Sequence, residues 1–400
     1  MACAFYVPSL SNVCLVPLAP VLAAGTKGPS LIERIALVRY MFSMAGVRPH
    51  RGATSNAAST RFNGLEIERD GDWLDAQADI DGVPLPRTTT VQMLRAKTII
   101  TYNKSPDMPF DRSINPFAGC EHGCIYCFAR PTHAYHDLSP GLDFETQLFA
   151  KPDAAALLRG ELARPGYVAK PIAMGTNTDP YQPIERDWRI TRDCIAVLAE
   201  TNHPLTITTK SDRVLRDVDL LASMAAKGLV SVTLSVTSLD PVIARTLEPR
   251  APHPEKRLAA VAALAAAGVP VFVSISPVIP AITDHEVEHL LERAAQAGAK
   301  GAYFLPVRLP HEVAPLFRAW LDVHFPERAD KVMAIIRSLR GGRDNDPGFH
   351  SRMRGQGVWG QLLATRFAIA CRRNRLTDGH PRTRCDLFRP PAGAQGELFS

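Results

Sequence analysis

Three cysteines fall within eight residues, in the run Ser113-Ile-Asn-Pro-Phe-Ala-Gly-Cys120-Glu-His-Gly-Cys124-Ile-Tyr-Cys127. The spacing C-x3-C-x2-C gathers three thiolates on one loop, and thiolates are soft ligands for iron–sulfur cubes or zinc. Three ligands on a cube of four irons leave one iron open, the arrangement a catalytic cluster requires. The competing reading is a zinc site with His122, His133 or His136 as fourth ligand. Zinc knuckles pair one C-x2-C with a second, distant pair, and the chain has no second pair.

The elements that must position this loop follow a regular alternation. Strand-like apolar runs at 171–175, 205–209, 230–236, 269–275 and 301–307 are separated by helical patterns at 186–200, 214–227, 255–267 and 284–297. Leu258, Val261, Ala262 and Leu264 show the apolar stripe of one such helix. Alternation of this kind predicts a parallel sheet with right-handed crossovers. The segment just before Cys120 supplies one more strand, making about six βα units, too few to close an eight-stranded barrel. The predicted fold is α/β: an open partial (β/α)6 TIM-like barrel with an N-terminal extension and a helical, arginine-rich C-terminal region. In barrels chemistry sits at the C-terminal strand ends. Polar groups follow each strand there: Thr176-Asn177-Thr178-Asp179, Lys210-Ser211-Asp212, Ser235 with Thr237-Ser238, Ser274 with Ser276, and Arg308. Packing alone does not ask for that repetition.

The C-x3-C-x-Tyr-C pattern resembles the signature of the radical S-adenosylmethionine (SAM) superfamily. The wider stretches Cys127-Phe-Ala-Arg-Pro-Thr-His-Ala-Tyr135 and Asn177-Thr-Asp-Pro-Tyr-Gln-Pro-Ile-Glu185 resemble a bacterial branch related to spore photoproduct lyase. The resemblance implies a [4Fe–4S] cluster on Cys120, Cys124 and Cys127, with S-adenosylmethionine on the open iron and an electron donor of flavodoxin or ferredoxin type. It places Tyr126 near the adenine and assigns Thr178, Lys210 and Ser235 to the rest of the cofactor pocket. It also breaks at one position. The lyase carries its hydrogen-donating cysteine where this chain has Thr176, and an O–H bond is too strong for that role. Cys371 and Cys385 are then the candidate hydrogen donors, while Cys194 sits on an apolar helical stripe. Three function classes follow: radical chemistry on a nucleic acid, in the manner of a DNA repair lyase; radical chemistry on a small molecule or peptide; and a non-catalytic iron–sulfur protein.

Composition sets the surroundings. The 400 residues are 22% charged and 46% hydrophobic with a net charge of +6, ordinary for a globular chain. No apolar run approaches the roughly 20 residues of a membrane helix. Eight unevenly placed cysteines suit metal chemistry in a reducing cytoplasm rather than a disulfide framework. The start lacks a basic segment and is interrupted by Pro8, Pro17 and Pro20, unlike a signal peptide. The expected organisation is a disordered or mis-assigned leader over 1–50, with translation beginning at Met41 or Met44, and an arm at 51–110 packing on the core. The core itself spans 111–310, a helical basic region 311–389 and a flexible tail 390–400. Arginines crowd the chain from 337 to 389, a composition suited to phosphate or DNA contact. At the end, Gln395-Gly-Glu-Leu398-Phe399 resembles the peptide that replication and repair proteins insert into the sliding clamp, with Gly396 departing from the pattern.

Overall fold

Apolar runs of four to eight residues, spaced by amphipathic helices, bury both faces of a sheet only when crossovers lay the helices over it. The computed structural model, described over residues 51–53, 55–57, 59, 61, 88–378 and 382–391, shows that outcome. In chain order the strands are β1 Thr90–Met93, β2 Ile100–Tyr102, β3 Arg112–Ile114, β4 Phe117–Ala118, β5 Gln147–Ala150 and β6 Ile172–Met174. They continue with β7 Leu205–Thr209, β8 Val230–Ser235, β9 Val271–Val278, β10 Gly301–Pro306 and β11 Thr377–Asp378. The large sheet runs β11-β10-β9-β8-β7-β6-β3-β2. Its six expected strands, β3 and β6 to β10, are all mutually parallel. All six positions of β8 are buried, as a parallel sheet covered on both faces demands.

Two edges are additions to the expected six. β2 pairs antiparallel with β3, and β11 pairs parallel with β10. At three and two residues they are too short to show a period. A second small sheet, β1-β5-β4, stands beside the cysteine loop. The helix expected over 186–200 is two helices, Glu185–Trp188 and Ile190–Glu200. Arg189 between them is left-handed, at φ 53°, and the Glu185 carboxylate accepts from Thr191 N at 3.0 Å across the break.

The C-terminal helices are part of the barrel's support. Val313–His324 and Ala329–Leu339 share a core with Ile125, Leu247 and Val307. Arg340 is buried and donates to the carbonyls of Pro306, Val307, Ser351 and Arg352, tying this layer to the end of β10. Arg352 grips Asp107 through two bonds of 2.6 Å, and Arg366 pairs with Glu288 at 2.7 Å. These three arginines, expected as part of a phosphate-binding stretch, are committed to partners within the chain, Arg340 inside the fold and Arg366 at its surface. The leader with Met41 and Met44 and the clamp-like peptide at 395–399 lie outside the described residues. Among the described residues no helix is long and apolar enough to cross a membrane.

Candidate functional site

The cysteine loop begins where β4 ends and is held by its backbone. Gly123 N bonds to Cys120 O at 3.4 Å, Cys127 N to Cys124 O at 3.2 Å, and Arg130 N to Cys127 O at 3.2 Å, a chain of short turns. Outside partners fix it in place: Cys120 N donates to Phe144 O at 2.9 Å, and Ile125 N to Leu247 O at 3.0 Å. Cys120 and Cys124 are buried and Cys127 is half-buried. Gly123 is left-handed, at φ +67°, and a Cβ there would meet the Glu145 carboxylate at 2.8 Å.

Beneath the loop lies Arg130, fully buried. It donates to Cys124 O, Gly123 O, Pro140 O and Gly141 O and pairs with Glu145 at 2.6 Å, so all of its polar nitrogens are engaged. Glu145 is equally buried and also accepts from Gly52 N at 3.0 Å and Ala53 N at 2.8 Å. The N-terminal arm is thereby pressed onto the loop. A Cβ on Gly52 would stand 1.7 Å from Gly123 O, so only glycine permits the approach.

Two further hubs join the loop to the strand ends. Asp179, after β6, accepts from Thr209 Oγ1 at 2.6 Å and Lys210 N at 2.8 Å, and lies 3.4 Å from His122 Nδ1. Burial alone would raise its carboxyl, but His122 and these hydrogen bonds hold its pKa down at about 2. Glu248 pairs with buried Arg257 at 2.5 Å, accepts from Thr237 Oγ1 at 2.6 Å and takes the Tyr126 hydroxyl. Burial opposes its charge too, yet Arg257 and then Lys210 hold it down at about 2. Arg257 also donates to Ser235 O at 3.1 Å.

Three of the expected cofactor-pocket residues meet around this network. Lys210 stands over the Tyr126 ring, its Nζ 5.8 Å from the centroid. Desolvation works against its charge, but Cys124 and Glu248 outweigh that and raise its pKa. Ser235 is buried at the end of β8. Thr178 is buried as well, its hydroxyl donating to Phe117 O at 3.2 Å. Thr176 faces Asn115, with Asn115 Nδ2 donating to its Oγ1 at 3.3 Å.

The structure does not bring the two candidate hydrogen donors here. The Cys371 side chain is packed in the main hydrophobic core, and its carbonyl takes Leu376 N just before β11 pairs with the first residues of β10. Cys385 follows Arg384, whose N–H bonds to Gly228 O just ahead of β8. Both belong to the N-terminal strand ends, opposite the loop. Glu248, Arg257, Arg130 and Glu145 were not singled out from the sequence. One signal was available: Arg257 shares the apolar stripe of Leu258, Val261 and Leu264, where a charge needs a buried partner.

The donor set fits a cluster. Burial is the main cause that pushes the Cys120 thiol well up, and Asp179 and Cys124 add to it. Burial likewise pushes the Cys124 thiol up to about 12, with Lys210 and, after it, Arg257 opposing. Cys127 adds to the rise at both Cys120 and Cys124, and buried sulfurs this close become thiolates together only around a cationic centre. Among the described residues no three His, Cys, Asp or Glu side chains stand as a group for a single metal ion. A cube differs in giving each thiolate its own iron.

A family model described as the radical SAM superfamily matches residues 114–294. An uncharacterised protein of Mycobacterium tuberculosis is 40% identical over 240 residues, covering 59% of this chain and 71% of that one. Another, from Methanocaldococcus jannaschii, is 28% identical over 235 residues, covering 58% and 83%. Among solved structures, a spore photoproduct lyase variant with bound AdoMet and dinucleoside spore photoproduct aligns over 76% of this chain and 91% of its own. The TM-score is 0.52 at 15% identity, a likeness of fold.

Proposed function

We propose, from the premise that the chain belongs to the radical SAM superfamily, that Cys120, Cys124 and Cys127 hold its [4Fe–4S] cluster and that its substrate is a nucleic acid. The observation that carries the cluster assignment is the convergence of three buried or half-buried thiols at the C-terminal strand ends, beside an ammonium. When bound, the cluster supplies one electron to the sulfonium of S-adenosylmethionine, whose C–S bond breaks to methionine and a 5′-deoxyadenosyl radical.

Each pocket residue has a distinct task. Lys210 Nζ has no hydrogen-bond partner among the described residues, and its retained charge suits the carboxylate of S-adenosylmethionine. Thr178 has already given its proton to Phe117 O, so it offers the ligand lone pairs and accepts from the amino group. Ser235 keeps its hydroxyl for the same pocket while Arg257 holds its carbonyl. Tyr126 is fixed by Glu248 and Thr237, which sets the wall against which the adenine lies. A reductant of flavodoxin or ferredoxin type delivers the electron.

The nucleic-acid assignment is supported by the fold shared with the lyase, whose solved structure carries a dinucleoside lesion. It stops short of the lyase's own hydrogen return. Thr176 cannot give back a hydrogen atom, and Cys371 and Cys385 are at the far end of the barrel. In the proposed reaction hydrogen therefore passes from the nucleic acid to the 5′-deoxyadenosyl radical. The rearranged nucleic-acid radical takes a hydrogen atom back from 5′-deoxyadenosine, which becomes the radical again, rather than from Cys371 or Cys385.

The test is anaerobic reconstitution, followed by reaction of deuterated S-adenosylmethionine with damaged and undamaged DNA. Deuterium exchange between cofactor and DNA is expected. Cofactor cleavage that no nucleic acid stimulates or labels, but a small molecule or peptide does, overturns the substrate assignment and leaves the cluster chemistry standing.

A further inference from the structure

Next to the cysteine loop is a cavity of about 250 Å³ that none of the steps above uses. Its walls include Phe128, Tyr135, Arg308 and Arg61. Phe128 follows Cys127 directly, and its side chain is 54% exposed; Tyr135 is 69% exposed. Large rings gain free energy by leaving water, so two of them open on one cavity present flat apolar surface to a ligand.

The arginines of this cavity differ. Arg61 is committed, with Nε 2.7 Å from Glu312 and a second nitrogen on Pro131 O at 2.6 Å. Arg308, just past the end of β10, is not. A guanidinium has five N–H donors. Among the described residues Arg308 directs one, at 3.5 Å, to the Met353 sulfur, a weak acceptor, and its Nε is buried without a partner. The nearby Asp107 is already gripped by Arg352. Burial, and next the charge of Arg352, lower the Arg308 pKa, the mark of a cation short of counter-charge. A fork of unspent donors selects oxyanions, above all phosphate, and exposed rings stack planar bases.

We infer that this cavity receives one nucleotide of the substrate, its phosphate on Arg308 and its base against Phe128 and Tyr135. The inference rests on the nucleic-acid reading of the site and adds where and how the strand is gripped. A free nucleotide carries the same phosphate and base, so the test separates the two sources.

Binding of a fluorescent oligodeoxythymidylate of about 12 nucleotides is measured by anisotropy over a salt series with reconstituted full-length protein. Inorganic phosphate and thymidine monophosphate serve as competitors. Arg308→Gln is expected to lower the slope of log affinity against log salt by about one. Arg308→Lys, which keeps the charge, should retain the slope. Phe128→Ala should weaken binding about tenfold with the slope unchanged. Iron content is read for each variant as the measure of fold and loading. Normal iron with unchanged slope and affinity in Arg308→Gln overturns the inference while leaving the cluster assignment intact. If Arg308→Gln fails to load iron, the decision falls to Phe128→Ala, and unchanged affinity there overturns it. Competition by the mononucleotide as strong as by the oligonucleotide keeps the cavity chemistry and overturns the strand as its source. An oligonucleotide that does not bind the wild type at all refutes the inference.

Discussion

The two ends of this barrel handle charge in opposite ways. At the C-terminal ends of the strands, Glu248 and Arg257 are buried and locked to each other, and Asp179, almost as deep, is held to His122 of the cysteine loop and to Lys210 N. At the N-terminal ends, the pairs Lys170–Asp111 and Arg384–Asp386 lie in water. Exposed pairs of this kind are screened and contribute little. Buried ones are costly to assemble and more costly to break, because a lone charge is stranded in low dielectric. The comparison shows what the site demands of its carboxylates: Asp179 and Glu248 are desolvated and still kept ionised.

The sharpest way to break the comparison is at the loop itself. Replacing any of Cys120, Cys124 or Cys127 by Ala is expected to abolish iron binding and the brown chromophore after anaerobic reconstitution. Stoichiometric zinc with no iron in the wild type would sink the cluster assignment.

Next in size is the buried pair beneath the loop. Glu145→Gln keeps the shape but leaves Arg130 unneutralised and weakens the hold on the arm at Gly52 and Ala53. A loss of about 3–5 kcal/mol is expected, read as a lower urea midpoint at constant m value. A loss no greater than that of a surface pair would show that water reaches Arg130.

Lys210→Ala should keep full iron content while weakening S-adenosylmethionine binding by about 1.5–3 kcal/mol, the scale of a charge-assisted hydrogen bond. Unchanged affinity by titration calorimetry would remove Lys210 from the pocket.

A smaller effect comes from the other end. His203 is buried before β7, between Pro204 O at 3.0 Å and the Tyr167 hydroxyl at 2.9 Å, and desolvation lowers its pKa from 6.5 to about 4. Its folded pKa lies below the unfolded one, so the unfolded chain takes up the proton first as the medium is acidified. Its contribution is complete above pH 6.5 and is lost as pH falls towards about 4, on the order of 3 kcal/mol. His203→Gln should flatten urea midpoints across that window, and an unflattened profile would assign the acid sensitivity to other groups. At the bottom of the scale, Arg384→Ala should leave the melting temperature unchanged within error. A measurable drop would mean that the exposed pair at the N-terminal end is coupled to the strands above it.

Much of the molecule could be read from its residues because the relevant signals are local. The spacing of Cys120, Cys124 and Cys127 is a property of one loop. The six parallel strands follow from period and length, and Lys210 and Ser235 could be picked out because each stands where a strand stops. A broken helix at Arg189 and the two short edge strands carry no such period, so they stayed out of reach.

What only the tertiary structure decided is which charges meet. Nothing in the spacing of Arg130 and Glu145, or of Glu248 and Arg257, says that they pair in the dark of the protein while Arg384 and Asp386, just two residues apart, pair in water. The same holds for Cys371 and Cys385, plausible as hydrogen donors in sequence and excluded from the site by lying at the opposite strand ends. Ligand type and strand order are written in neighbouring residues. Burial, and with it the strength of every charge interaction, is set by contacts between segments far apart in the chain.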